Sequence, residues 1–99
     1  MTVEKYYQKI LKYNKIMDSK KFGLQIQITY HARKRMSERR ISEELLIDII
    51  ETGQTRYKDE TRLWIFKHIE GRDDNLICAA VVLEKKLVIK TIMHHFQWE

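Results

Sequence analysis

Ninety-nine residues, 43% hydrophobic and 10% aromatic, fit one globular domain with a single modest core and exclude a disordered chain. There is no proline and there are only three glycines, so no linker interrupts the chain; the one cysteine, Cys78, gives no disulfide framework and fits a reducing cytosol. The formal charge of +5 is unevenly placed: residues 1–29 sum to +4, residues 30–41 to +4 and residues 42–99 to −3, an imbalance that suits a polyanionic partner.

The opening M-T-V-E-K-Y-Y lacks the basic-then-apolar order of a signal peptide, and the longest apolar run, Leu76–Leu83, is too short to span a bilayer. A cytoplasmic protein away from membranes is expected. Val3, Tyr6, Tyr7, Ile10, Leu11, Tyr13, Ile16 and Met17 recur at three-to-four spacing and predict an amphipathic helix from Thr2 to Met17, closed by Ser19–Lys21 and Gly23. Residues 24–29, L-Q-I-Q-I-T, alternate as a half-buried strand does. A short helix follows, with Thr29 as its cap. Ser42, Glu43 and Glu44 start another, which carries the stripe Leu45, Leu46, Ile49 and Ile50 and which Gly53 ends. The period then changes to two. Strands are expected at 55–58, 62–68, 76–83 and 87–96, with turns at E-G-R-D-D-N (70–75) and E-K-K. The fold class this predicts is α+β, one domain over 1–99, with N-terminal helices packed on one face of a four- to five-stranded, mainly antiparallel sheet.

Residues 30–41, Y-H-A-R-K-R-M-S-E-R-R-I, hold a histidine and five cations in twelve positions. On a helix His31, Arg35 and Arg39 form one stripe, and Ala32 with Met36 form the neighbouring face that is natural to bury. A site at that border can bind an anion while partly desolvated. Glu38, Glu43 or Asp48 can equally pair with these arginines, and Arg33, Lys34 and Arg40 lie off the stripe. In 62–68, Arg62, Trp64, Phe66 and His68 alternate with Leu63, Ile65 and Lys67. Basic residues between aromatics can stack bases and hold phosphates, although Trp and Phe at this spacing also make an ordinary core; the face that the helices cover decides. Lys90 and His94 share a strand face, and histidine suits proton transfer near neutral pH. His95 points the other way, so the adjacent histidines do not form a metal site. Neither HExxH, a P-loop nor G-x-S-x-G occurs, and no cofactor is expected.

H-A-R-K-R-M-S-E-R-R-I-S-E-E-L at 31–45 resembles the signature of a small bacterial family of uncharacterised domains, roughly His-Ala-x-x-Arg-Met-x-x-Arg-Gly-Ile-Ser before a short helix and a meander of strands. His31, Ala32, Arg35, Met36, Arg39, Ile41 and Ser42 match in spacing. The likeness covers about residues 24–96 and leaves 1–21 as an added N-terminal helix. Arg40 stands where the family usually has glycine, so a left-handed turn there would be strained or replaced by a different turn. In layout the family is similar to the RelE-, BrnT- and barnase-like ribonuclease toxins, which implies metal-independent RNA cleavage by attack of a 2′-hydroxyl on the adjacent phosphate. That likeness makes His31, Arg35, Arg39 and His94 the catalytic set. It gives nucleic-acid contacts to Arg33, Lys34, Arg40, Arg62, Trp64, His68 and Lys90, and implies RNA and an acidic antitoxin or immunity protein as partners. A different class of function fits the same residues: a non-catalytic nucleic-acid-binding or protein-interaction module.

Overall fold

In the computed structural model, which describes residues 17–98, a tight hairpin comes first. β1 (Met17–Ser19) pairs antiparallel with β2 (Leu24–Ile28), Met17 opposite Ile26 and Ser19 opposite Leu24. Buried Ser19 closes the turn. Its hydroxyl accepts from Phe22 N at 3.1 Å and its carbonyl from Gly23 N at 2.9 Å, while Gly23 takes a left-handed φ of +65° that a side chain would resist.

Two short helices follow. In α1 (Tyr30–Glu38) the Thr29 hydroxyl accepts from Ala32 N at 3.1 Å; in α2 (Glu43–Thr52) the Ser42 hydroxyl accepts from Leu45 N at 3.1 Å. Each cap answers one of the backbone donors that a helix start leaves open. β3 (Gln54–Tyr57), β4 (Arg62–Lys67), β5 (Ile77–Leu83) and β6 (Leu87–Met93) complete a six-stranded sheet of order β1-β2-β6-β5-β4-β3. β2 and β6 run parallel; the other neighbours are antiparallel. One core joins Ala32, Met36, Leu46, Ile49 and Ile50 of the helices to Leu63, Ile65, Ala79, Val81, Ile89 and Ile92 of the sheet.

The sheet curls into a half-barrel, and polar bonds show how. Glu51 of α2 accepts from the backbone N–H groups of Lys20 and Lys21, both at 3.0 Å. Lys21 Nζ reaches Gly53 O (3.2 Å) and Thr55 Oγ1 (3.1 Å). The hairpin at one end of the strand order is thereby tied to β3 at the other end, through the C-terminus of α2.

This layout corrects the expected fold class. Among the described residues the helices do not precede a four- to five-stranded sheet; two short helices are inserted after the second of six strands. Met17, read as the last residue of a helix, is the first of β1. Three residues are too few to show an alternation, and the pairing that makes them a strand comes from the next segment. Residues 2–16 of that expected helix lie outside the described residues. The strands expected at 24–29, 55–58, 62–68, 76–83 and 87–96 are present with shifted ends.

Gly53 is needed for a reason other than handedness. Its φ is −74°, open to any residue, but a Cβ there would lie 2.5 Å from Ile49 O and 2.9 Å from Phe66 O, where the end of α2 meets β4. Both obstacles are backbone atoms that cannot swing aside. Gly53→Ala is therefore expected to destabilise the fold by about 1–3 kcal/mol, read as a lower urea midpoint with an unchanged slope. An unchanged midpoint would contradict this packing.

Candidate active site

β6 is paired with β2 only as far as Ile28 opposite Ile89, so its later carbonyls face an edge with no strand. α1 closes that edge. Thr29 N donates to Ile89 O (3.2 Å), Thr29 Oγ1 to Lys90 O (3.2 Å) and Arg39 Nη1 to Ile92 O. Buried Ala32 and Met36 hold the helix down between these anchors.

The C-terminal end of α1 then meets the segment 69–75. Arg40 has a φ of +55°, a conformation that costs a residue with a Cβ about 1–2 kcal/mol. Arg72 holds the turn from outside: Nη2 donates to Arg39 O (2.6 Å) and Nη1 to Arg40 O (3.0 Å). The same guanidinium grips Asp74 through Nε and Nη2, each at 2.8 Å. Asn75 sets the loop that carries it, accepting from Ile69 N (2.7 Å) and donating to Ile69 O (2.8 Å) and Arg72 O (2.7 Å). Asp74 Oδ2 in turn lies 3.1 Å from His94 Nδ1.

Arg72 and Asp74 are largely buried, their side chains 21% and 14% exposed. The Arg72 hydrogen bonds, ahead of the one from His94, hold the Asp74 carboxyl well below the usual carboxylate range, and Asp74 likewise raises Arg72. An ionised carboxylate only accepts, so His94 Nδ1 is the donor, which in a neutral ring puts the lone pair on Nε2. His95 also belongs here: its N–H donates to Asp74 O (2.6 Å), and its ring centroid lies 4.6 Å from that of His94. A cleft of about 350 Å³, lined by Arg39, Arg40 and Arg72 and by the acids Glu38, Asp73 and Asp74, opens beside this junction. Among the described residues no three His, Cys, Asp or Glu side chains are grouped to hold a metal ion.

Of the sequence candidates, Arg39, Arg40 and His94 meet at this junction. Arg35, one turn back, donates to Glu38 at 2.9 Å, and Arg33 pairs with Glu43 at 2.8 Å. Lys34 is exposed. His31 is exposed at the first turn of α1, hydrogen-bonded to none of the described residues, and eight residues from Arg39 sets it about 12 Å away along the axis.

The remaining candidates lie across the sheet. α2 covers the face of Leu63 and Ile65, with Lys67 Nζ on Asp48 at 2.7 Å, so Arg62, Trp64 and Phe66 face away from the helices. Phe66 is core, packed against Phe96 and Trp98 at centroid distances of 6.0 and 5.9 Å. Trp64 is half-buried, edge-on to Trp98 at 5.6 Å. Arg62 is locked to Asp59 at 2.7 and 2.6 Å, which brings the Asp59 carboxyl down to about 2. Lys90 and His68 are exposed. Cys78 is fully buried, and burial pushes its thiol up to about 12, which leaves it inert.

Sequence reasoning missed Arg72 and Asp74, and it set His95 aside as pointing away from His94, whereas a positive φ of 52° at His95 brings the two rings together. In E-G-R-D-D-N the charges read as an exposed turn, and only the fold brings that turn against α1 and the end of β6.

A model of the domain of unknown function DUF4258 matches residues 28–94, well over half of the chain. No curated protein and no solved structure matches it, so no matched structure stands behind the likeness in layout to RelE-, BrnT- and barnase-like toxins. Among the described residues no helix is long and apolar enough to cross a membrane.

The lowered Asp74 carboxyl makes a pH prediction. Its paired, ionised form stabilises the fold at every pH above the ordinary carboxylate value of 3.8, and this contribution is lost as pH falls toward the lower folded value. Asp74→Asn should cost about 1–3 kcal/mol at pH 7. The gap from wild type should narrow steadily below about pH 4. Urea titrations at pH 7 and pH 3 check both; an equal gap at the two values would contradict the pairing.

Proposed function

The chain belongs to the DUF4258 family, and from its site we propose that it binds RNA and cleaves it by 2′-hydroxyl attack on the adjacent phosphate. One observation carries the reading: a histidine held through Nδ1 by a largely buried carboxylate, Asp74, which is itself clamped by Arg72 and lines an open cleft with Arg39 and Arg40. His94 Nε2 takes the proton of the ribose hydroxyl. His95, whose ring neighbours that of His94, returns a proton to the departing 5′-oxygen, and Arg40, with the outward nitrogen of Arg39, carries the charge that grows on the phosphorane, a task suited to the planar guanidinium fork. Removing one such contact in the transition state typically costs about 3 kcal/mol. His31 lies too far along α1 to share that phosphate, and with Arg33, Lys34 and Arg35 it would meet neighbouring parts of the strand. The surplus of positive charge on the front half of the chain also suits an acidic protein that restrains the activity.

The test is incubation of purified protein with total RNA in excess EDTA, with His94→Ala alongside. The expected result is discrete fragments ending in 2′,3′-cyclic phosphate and a loss of at least about 100-fold in the variant. RNA that is bound but left intact at high protein concentration would make the protein a binding module whose cations only position phosphates.

A further inference from the structure

The sheet face turned away from the helices carries a hollow that the His94 junction does not use. It has a volume of about 270 Å³, with Trp64, Ala80 and Val82 forming its apolar part and Lys58, Arg62 and Lys90 its charged rim. Register explains the hollow. Trp64 stands directly opposite Ala80 and Arg62 opposite Val82, so the small Ala80 leaves open the space beside a large ring. On β6, Val81 opposes Ile89 but Ala80 opposes Thr91, which leaves Lys90 as the extra residue of a bulge. A bulge re-aims the side chain it carries, and here it turns Lys90 to the rim.

We propose that this hollow seats one unpaired base of single-stranded RNA against Trp64, with the flanking phosphates on Lys58 and Lys90. The proposal rests on the RNA reading above and adds the form of the substrate. Trp64 is braced edge-on by Trp98 (5.6 Å, 65° between planes), so its ring is a fixed wall and not a loose side chain. Lys58 Nζ lies over the Trp64 ring, 6.0 Å from its centroid, so a base that stacks there takes the place of this cation and leaves the lysine beside its phosphate. None of the lining residues is acidic, and of the three cations Arg62 is paired with Asp59 outside the hollow, which leaves the two lysines to make it complementary to an anion. Its volume falls just below the roughly 300–1,000 Å³ of ordinary small-molecule sites, enough for one ring system and too little for a base pair. A base whose face is free to stack is a property of single strands, not of A-form duplexes. Thr91, opposite Ala80, is three residues and about 10 Å along the strand from His94. The hollow is therefore an anchoring subsite, reached by a strand that passes round the end of the sheet from the cleft.

The test is anisotropy of a labelled short 2′-O-methyl oligouridylate, which 2′-hydroxyl chemistry cannot cut, titrated with wild type, Trp64→Ala, Trp64→Phe and Lys90→Ala across a range of salt. Each variant is first checked for an unchanged melting profile. Trp64→Ala should weaken binding roughly ten-fold while Trp64→Phe keeps most of it, because stacking needs a ring and not an indole. Lys90→Ala should lower the slope of log affinity against log salt by about 0.7, and it tests the rim even if Trp64→Ala fails to fold. A blunt duplex of the same length should show no dependence on Trp64. Binding of the single strand that ignores both Trp64 and Lys90 would overturn the hollow and leave the RNA reading standing. Wild-type protein that binds no RNA and cleaves none would overturn both.

Discussion

The guanidinium of Arg72 serves four acceptors at once: two carbonyls at the end of α1 and both oxygens of Asp74. The last carbonyls of a helix have no partner inside it, and α1 ends in a strained left-handed residue that offers no glycine cap. An ammonium could not hold two carbonyls and a bidentate carboxylate in one plane; a guanidinium can. The position of segment 69–75 against α1, the direction of the Asp74 carboxylate and, through it, the tautomer of His94 all follow from this one side chain. In the proposed reading function and fold are coupled here, because the same four bonds serve both.

Five of the arginines fall into two groups once the sheet is in place. Arg33, Arg35 and Arg62 each have a carboxylate partner at the surface, where such pairs are weak and a competing phosphate can replace the acid. Arg39 and Arg72 are held by backbone carbonyls and are part of the architecture. Opposite the helices, the aromatic cluster of Phe66, Phe96 and Trp98 covers one part of the sheet, with Arg56 4.2 Å over the Trp98 ring, and leaves the end near Trp64 open. The alternation in R-L-W-I-F-K-H thus yields a core residue and a half-open one two positions apart on one face.

Much of the local structure was legible because its causes are local. Thr29 and Ser42 cap the helices they precede, Leu45 to Ile50 carry the apolar stripe, and the period-two runs became strands. Arg40 stands in a left-handed turn and carries its strain, one of the two outcomes open for a non-glycine at that position. What could not be read depends on pairing between distant segments. Met17–Ser19 is a strand only because 24–28 folds back on it, and β2 pairs parallel with β6 some sixty residues later. For the same reason His94 was visible as a proton carrier, but Arg72 and Asp74, which orient it, resembled solvent-facing turn residues. Gly53 was legible as a helix stop, yet its cause is the closeness of two backbone carbonyls and not a positive φ.

The most direct measurement is the ring-nitrogen NMR spectrum of ¹⁵N-histidine-labelled protein at neutral pH, comparing wild type with Asp74→Ala. If Arg72 and Asp74 set the working nitrogen, His94 in the wild type is protonated on Nδ1 with Nε2 unprotonated, and the variant loses that preference. A His94 that carries its proton on Nε2 in the wild type, or that is unchanged by Asp74→Ala, would contradict the central claim.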